Sequence, residues 1–167
     1  MDLPLSKTIK FKQKILIITG DGHFGERLMD VIKRGGYEVN LVKNGIEGIK
    51  TIYNTLPHLV LLDVIVPGTE GYEILAQKSK EPMLAKIPIF FMSTQGVPIN
   101  MRRVPEDSVA EFILALHGQP DYILERIDRY FNNERGKQQS QKSGATGAKE
   151  ILWVEDDKLI GNILSKK

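Results

Sequence analysis

The sequence predicts one doubly wound α/β domain, with a five-stranded parallel sheet of order 2-1-3-4-5 and helices on both faces. Short apolar runs recur at residues 15–18, 59–62, 87–92 and 112–116, as expected for strands buried on both sides. Helical apolar spacing and turn residues separate these runs, and this alternation favours parallel strands joined by crossovers. A domain of about 120 residues with five such units favours the order 2-1-3-4-5.

The first half of this domain is predicted to contain two strands and two helices. The first strand, 15–18, is followed by three glycines and by a helix that starts near Phe24 and stops at Gly35. Residues 37–42 form the second strand. Asn44 caps the second helix, which Pro57 ends. Its predicted core face consists of Ile46, Ile49, Tyr53 and Leu56.

The second half begins with the third strand, 59–62, which Asp63 follows directly. A third helix spans 72–80, and Pro82 closes that region. The fourth strand, 87–92, leads into Ser93 and Thr94. Pro98 and Pro105 restrict any helix before the fifth strand, 112–116, to about two turns. Pro120 suits the first turn of the last helix.

The chain is predicted to contain four parts, because its composition changes after Phe131. Residues 1–11 are an N-terminal tail, 12–133 the α/β domain, and 134–149 a polar, flexible linker rich in Gln, Ser, Gly and Lys. Residues 150–167 start another strand and helix but are too few to bury a core. Similar strands begin at Lys14 and Glu150, which indicates tandem copies of one fold.

Composition excludes several classes of function. The chain has no cysteine, so disulfides, thiolate catalysis and cysteine-bound metals are excluded. Its net charge of +2 is too even to indicate nucleic-acid binding, and no apolar run reaches the length of a membrane span. We therefore expect a cytoplasmic protein without a membrane partner.

The most informative motif surrounds Asp63. Pro67 follows it by four residues and Gly71 by eight. This spacing resembles the receiver domain of bacterial two-component response regulators, and the resemblance extends from residue 12 to about residue 131. It implies phosphorelay signalling rather than an enzyme, with a histidine kinase or phosphotransfer protein as partner. Residues 150–167 resemble the truncated start of a second receiver, a neighbouring partner in the same chain.

The resemblance also implies roles for individual residues. Asp63 matches the phosphoryl acceptor, and the carbonyl of Ile65 matches the main-chain ligand of Mg²⁺. Ser93 matches the hydroxyl that binds the phosphoryl group, and Phe112 matches the aromatic residue that switches with it. We expect no catalytic residues beyond these.

Two expected features of a receiver are missing from the sequence. The acidic pair that binds Mg²⁺ falls on Thr19 and Gly20, and only Asp21, one place further, could substitute in part. The conserved lysine falls on Ala115 or, with a slip of one, on Leu116. We therefore predict an incomplete pocket around Asp63 that binds Mg²⁺ weakly.

Two other functions remain open. The domain could be a pseudo-receiver that is not phosphorylated and serves as an interaction scaffold. Less favoured is a small nucleotide-binding domain, because Gly20–Gly25 matches G-x-G-x-x-G between a strand and a helix. However, the acidic residue expected after the second strand is absent, since Val42, Lys43 and Asn44 stand there.

Overall fold

The predicted sheet is confirmed in a computed structural model that describes residues 12–114 and 119–143. Five parallel strands lie in the order β2-β1-β3-β4-β5. β1, β3 and β4 are almost entirely buried, which explains their unbroken apolar runs. The strands are β1 (Lys14–Ile18), β2 (Glu38–Val42), β3 (Leu59–Asp63), β4 (Ile89–Ser93) and β5 (Glu111–Leu114).

The part of the chain that the structure describes contains five α-helices and one 3₁₀ turn. The helices are α1 (Gly22–Arg34), α2 (Gly45–Thr55), α3 (Gly71–Lys80), α4 (Pro82–Ala85) and α5 (Pro120–Ser143), and the turn spans Met101–Arg103. The predicted caps are confirmed: Oδ1 of Asn44 accepts the N–H of Ile46 at 2.8 Å, and Gly35 is the C-cap of α1. Among the described residues, no helix is both long enough and apolar enough to cross a bilayer.

The predicted core face of α2 is wrong at three of its four positions, whereas Ile49 is partly buried against the core as predicted. Ile46, Tyr53 and Leu56 are 51%, 40% and 48% exposed, whereas Gly45, Gly48 and Ile52 are buried. The helix packs through its glycines, since a Cβ atom on Gly48 would lie 2.7 Å from Cδ1 of Ile18. Apolar spacing misassigned this face because glycine contributes no hydrophobic signal although it permits the closest approach of the backbone.

The crossover between β4 and β5 contains no α-helix. Where the sequence allowed about two turns, the structure has the 3₁₀ turn Met101–Arg103, consistent with the constraint from Pro98 and Pro105. The third helix ends at Lys80, before Pro82, as predicted, but Pro82 also starts the short α4, which the sequence did not predict. β4 begins two residues later than predicted, and β5 is described at 111–114. Residues 115–118 lie outside the described part.

Side chains from α3 anchor this β4–β5 connector, residues 94–110. The main-chain N–H of Asn100 donates to the Tyr72 hydroxyl at 2.8 Å, and the guanidinium of Arg103 lies 4.2 Å from the centroid of the Tyr72 ring. Arg103 also pairs with Glu70. Near the end of the connector, Nζ of Lys78 donates to the carbonyl of Ser108 at 3.3 Å. The connector is therefore fixed by discrete polar contacts as well as by the half-buried Ile99, Val104 and Val109.

The predicted linker 134–149 is wrong in its first part, because α5 continues to Ser143. The described residues 125–143 belong to a compact unit of their own. Within it, pairs such as Glu134–Lys137, at 3.0 Å, join successive turns of the helix. Glu, Arg, Lys and Gln form helices well, so a polar composition did not require a flexible segment. Residues 144–149 and the predicted second receiver at 150–167 lie outside the described residues.

Candidate functional site

Asp63 is a buried carboxylate at the carboxyl edge of the sheet. It ends β3, lies beside Met92 of β4, and is only 1% exposed. The buried run of β3 carries the chain to this edge, and the turn after it places Gly71 against the main chain. A Cβ atom on Gly71 would lie 2.4 Å from the carbonyl oxygen of Asp63. The predicted acceptor therefore lies at the edge where ligands bind in sheets of this kind.

Within the described residues, only neutral donors bind the carboxylate of Asp63. Oγ1 of Thr19 donates to Oδ2 at 2.8 Å, and the hydroxyl of Thr94 donates to the same oxygen. The main-chain N–H groups of Thr94 and Ile65 donate as well. Burial nonetheless raises the pKa of Asp63 above its usual value of 3.8, because lost hydration outweighs these hydrogen bonds.

The hydroxyl of Ser93, which the sequence assigned to phosphoryl binding, hydrogen-bonds to the connector after β4 rather than to Asp63. Ser93 is buried at the end of β4, and its hydroxyl donates to the carbonyl of Val97 at 2.6 Å. Thr94, the next residue, contacts Asp63 instead. The sequence did contain a signal for Thr94, namely a second hydroxyl at the end of the same strand. Choosing between the two hydroxyls required the direction of the chain as it leaves β4.

Phe112 lies on β5 opposite Phe91 and is 41% exposed. Its ring centroid is 6.5 Å from that of Phe91, which in turn is 5.3 Å from that of Tyr72. The predicted switch residue is therefore part of a row of three aromatic rings, the last of which, Tyr72, hydrogen-bonds to the β4–β5 connector. Ala115 and Leu116, the two positions considered for the missing lysine, lie outside the described residues.

Asp21, which the sequence proposed as a partial substitute for the acidic pair, caps the first helix. Its Oδ1 accepts the N–H of Phe24 at 3.0 Å and caps α1. Its main-chain N–H donates to Oγ1 of Thr19 at 3.2 Å. Asp21 therefore supports the turn before α1 through its main-chain N–H and through Oδ1, the oxygen that caps the helix.

Position 20 has no room for an acidic side chain in this conformation. A Cβ atom on Gly20 would lie 2.6 Å from Cδ of Pro67 and 3.6 Å from the carbonyl oxygen of Ile65. The carbonyl of Ile65, predicted as the main-chain metal ligand, therefore lies close to Gly20. Among the described residues, however, no group of three or more His, Asp or Glu side chains could hold a metal. The residues present do not fit the Mg²⁺ site of a receiver.

The glycine-rich turn before α1 is filled by the protein's own side chains. Besides the Asp21 cap, Lys43 lies against the start of the helix, since a Cβ atom on Gly22 would be 3.0 Å from its Nζ. Lys43 also pairs with Glu26 at 3.2 Å. These contacts occupy the helix terminus that a pyrophosphate would need in a nucleotide-binding domain.

Comparison with known proteins identifies the family. The sequence model of the response regulator receiver domain matches residues 15–127. This chain belongs to the receiver domain family. The match covers all five strands of the receiver, the Asp63 pocket and the start of α5.

Curated relatives of this receiver include longer regulators. The chain is 22% identical over 144 residues to "Probable transcriptional regulator ycf29" of Pyropia yezoensis, with 83% of this chain and 62% of the relative covered. It is 27% identical over 114 residues to the DNA-binding response regulator MtrA of Mycobacterium tuberculosis, with 68% and 44% covered. The receiver chain thus spans less than two thirds of the length of either relative.

Solved structures share the fold of this receiver. A CheY-like response regulator receiver domain protein from Methanospirillum hungatei aligns with a TM-score of 0.64 and 20% identity, covering 75% of this chain and 98% of that one. The chemotaxis response regulator CheY4 of Vibrio cholerae aligns with a TM-score of 0.62 and 19% identity, covering 71% and 98%. At these identities the alignments confirm the fold alone.

Proposed function

We propose that this receiver accepts a phosphoryl group on Asp63 and passes the signal on as part of a phosphorelay. The observation that carries this proposal is the position of Asp63, a carboxylate at the carboxyl end of the central strand, hydrogen-bonded on its Oδ2 by Thr19 and Thr94. A carboxylate oxygen held there can attack phosphorus as a nucleophile. The donor is a histidine kinase or a phosphotransfer protein that carries a phosphohistidine.

Transfer to Asp63 forms one bond to phosphorus and breaks another. An oxygen of Asp63 forms a bond to phosphorus, the P–N bond to the donor imidazole breaks, and the imidazole leaves with the electron pair. The hydroxyl and N–H of Thr94, which already point at Asp63, can donate to the phosphoryl oxygens. In this role Thr94 replaces Ser93, whose hydroxyl is engaged with Val97.

The test is to incubate the full chain with acetyl phosphate and to look by intact-mass spectrometry for a single phosphoryl adduct that hydroxylamine removes. Asp63→Asn should abolish it. Asp21→Asn is the matched control, because that carboxylate caps α1 and should leave the adduct in place. An adduct that survives in Asp63→Asn would assign the acceptor to another residue and refute the proposal.

The second candidate is a pseudo-receiver that acts as an interaction scaffold, including for a neighbouring receiver in the same chain. The crowding of Gly20 by Pro67 and the burial of Asp63 favour it. In that case no adduct forms on Asp63, and Asp63→Asn binds every partner of the wild-type protein with unchanged affinity. Loss of partner binding in Asp63→Asn would count against the scaffold.

A further inference from the structure

Thr19 has an unusual position for a side chain at the end of β1, because its hydroxyl is engaged on both sides. Oγ1 accepts the main-chain N–H of Asp21 at 3.2 Å and donates to Oδ2 of Asp63 at 2.8 Å. The hydroxyl of Thr94 reaches the same Oδ2 from the end of β4. A continuous chain of hydrogen bonds therefore runs from the start of α1 through Asp63 to the β4–β5 connector.

We propose that Thr19 takes the place of the divalent cation in this receiver, so that Asp63 is positioned without a metal. Two observations support it. Oδ2 of Asp63 already accepts the hydroxyl of Thr19 on the side of β1, where the acidic pair of a receiver would hold the metal, and the hydroxyl of Thr94 from the side of β4. Pro67 fills the space that a side chain at Gly20 would need. Thr19 is thus a positioning residue, since it acts through Asp63.

A pocket without a metal should hold the phosphoryl group on Asp63 for longer, an expectation that rests on the proposed function. A metal ion stabilises the charge that develops on the phosphoryl oxygens, both when Asp63 attacks and when water later removes the group. In the second step the water oxygen bonds to phosphorus, the P–O bond to Asp63 breaks, and the carboxylate leaves with the electron pair. A neutral hydroxyl supplies less stabilisation in both steps. The phosphoryl group should therefore be gained slowly, lost slowly, and lost at a rate that ignores divalent cations.

Binding of Mn²⁺, used as a paramagnetic probe, tests the metal-free site directly. Free Mn²⁺ is counted by electron paramagnetic resonance while the wild-type chain and Asp63→Asn are titrated in parallel. We expect the two curves to coincide. Binding that is equal in both proteins lies elsewhere and supports the proposal. One Mn²⁺ bound per wild-type chain and lost in Asp63→Asn overturns it.

Variants at position 19 test the role of the hydroxyl. Thr19→Asp restores one carboxylate, and the triple variant Thr19→Asp, Gly20→Asp, Pro67→Ala restores both while removing the obstructing ring. At least one of them should gain Mn²⁺ binding that Asp63→Asn abolishes. Thr19→Ser keeps the hydroxyl and Thr19→Val removes it, and neither should bind the ion. Mn²⁺ binding by Thr19→Val alone would show that the hydroxyl only blocks a metal site that is otherwise intact, and would contradict the proposal.

The decay of the adduct gives a second readout. The phosphorylated chain is transferred into buffer with EDTA or with Mg²⁺, and the hydroxylamine-labile adduct is followed over time. The two wild-type rates should agree within about twofold, whereas Mg²⁺ should accelerate decay by about tenfold or more in a variant that has regained the metal. A tenfold acceleration in the wild type sinks the proposal. If the wild type forms no adduct, the proposed function fails, and the Mn²⁺ titration still decides the role of Thr19.

Discussion

Two ionisable side chains are buried at opposite edges of the sheet, and they are satisfied in different ways. Asp63, 1% exposed, receives two hydroxyl and two main-chain hydrogen bonds at the carboxyl edge. Lys78, 5% exposed, donates to the carbonyls of Ala85 at 3.2 Å and Ser108 at 3.3 Å, which precede β4 and β5. The donors around Asp63 can move to new acceptors if the carboxylate is phosphorylated. Lys78, in contrast, joins the β4–β5 connector to α3 by hydrogen bonds.

Burial shifts both groups toward their neutral forms, with opposite effects on stability. Burial raises the pKa of Asp63, so the folded state binds its proton more tightly and loses stability as the pH rises above the usual 3.8. Burial lowers the pKa of Lys78, so the unfolded state binds its proton more tightly and stability increases as the pH rises toward 10.5. Two buried charges without an ionic partner among the described residues thus give the fold opposing pH dependences.

The largest expected effect comes from removing both hydroxyls at Asp63. Thr19→Val combined with Thr94→Val should lower the free energy of unfolding at pH 7 by about 3–5 kcal/mol, because a buried carboxylate loses two charge-assisted hydrogen bonds. Urea denaturation measures the change. Thr51→Val is the control, since that hydroxyl donates to the carbonyl of Glu47 on the exposed surface of α2 and should cost about 0.5 kcal/mol or less. A double variant no less stable than this control contradicts the assigned role of the hydroxyls.

Lys78→Met tests the other buried charge. Above pH 10.5 the wild type should be more stable by about 1–3 kcal/mol, because the variant leaves two carbonyls without a donor. As the pH falls, the wild type protonates a buried amine and this advantage shrinks, while the variant lacks that dependence. The difference between two urea-denaturation series, from pH 7 upward, isolates the lysine. A constant difference across the series would mean that Lys78 does not titrate as a buried group.

Asp63→Asn should stabilise the fold at pH 7 by on the order of 1–2 kcal/mol, because a neutral amide replaces a dehydrated carboxylate. The sign follows from the raised pKa of Asp63. The gain is full above the folded-state pKa, shrinks as the pH falls through it, and disappears below 3.8, where the carboxyl is protonated in both states. Thermal unfolding of both proteins between pH 3 and 7 checks this. If the variant is still more stable by the same amount at the lowest pH, the gain in stability does not come from removing the charged carboxylate.

The smallest effect is expected at the exposed anchor of the connector. Arg103→Gln removes the pair with Glu70 and the contact with the Tyr72 ring. It should cost about 0.2–1 kcal/mol, since the side chains of Arg103 and Glu70 are both about half exposed to water. The loss should decrease in high salt. If Arg103→Gln costs more than Lys78→Met at alkaline pH, the connector depends on its surface contacts rather than on the buried lysine.

Local signals in the sequence were enough for the sheet and for Asp63. Apolar runs specify strands that are buried on both faces, and the spacing of Pro67 and Gly71 after Asp63 lies within one loop. The missed features depend on contacts between distant segments. The glycines through which α2 packs give no apolar signal in the sequence. A lysine such as Lys78 is expected to be exposed, and its burial is explained only by the carbonyls of two other segments that accept its hydrogen bonds. Thr94 could be distinguished from Ser93 only once the exit of the chain from β4 was known.

The close approach of Gly20 and Pro67 also limits which sequences this receiver can reach by single mutations. Any side chain introduced at position 20 meets the proline ring at 2.6 Å, so an aspartate there is disfavoured until the loop after β3 changes as well. An acidic side chain at position 20 therefore needs coordinated changes at positions 20 and 67, and the change at position 20 alone should lower stability. The residue that can follow β1 is thus coupled to the residue chosen in the loop after β3, although the two positions are far apart in the sequence.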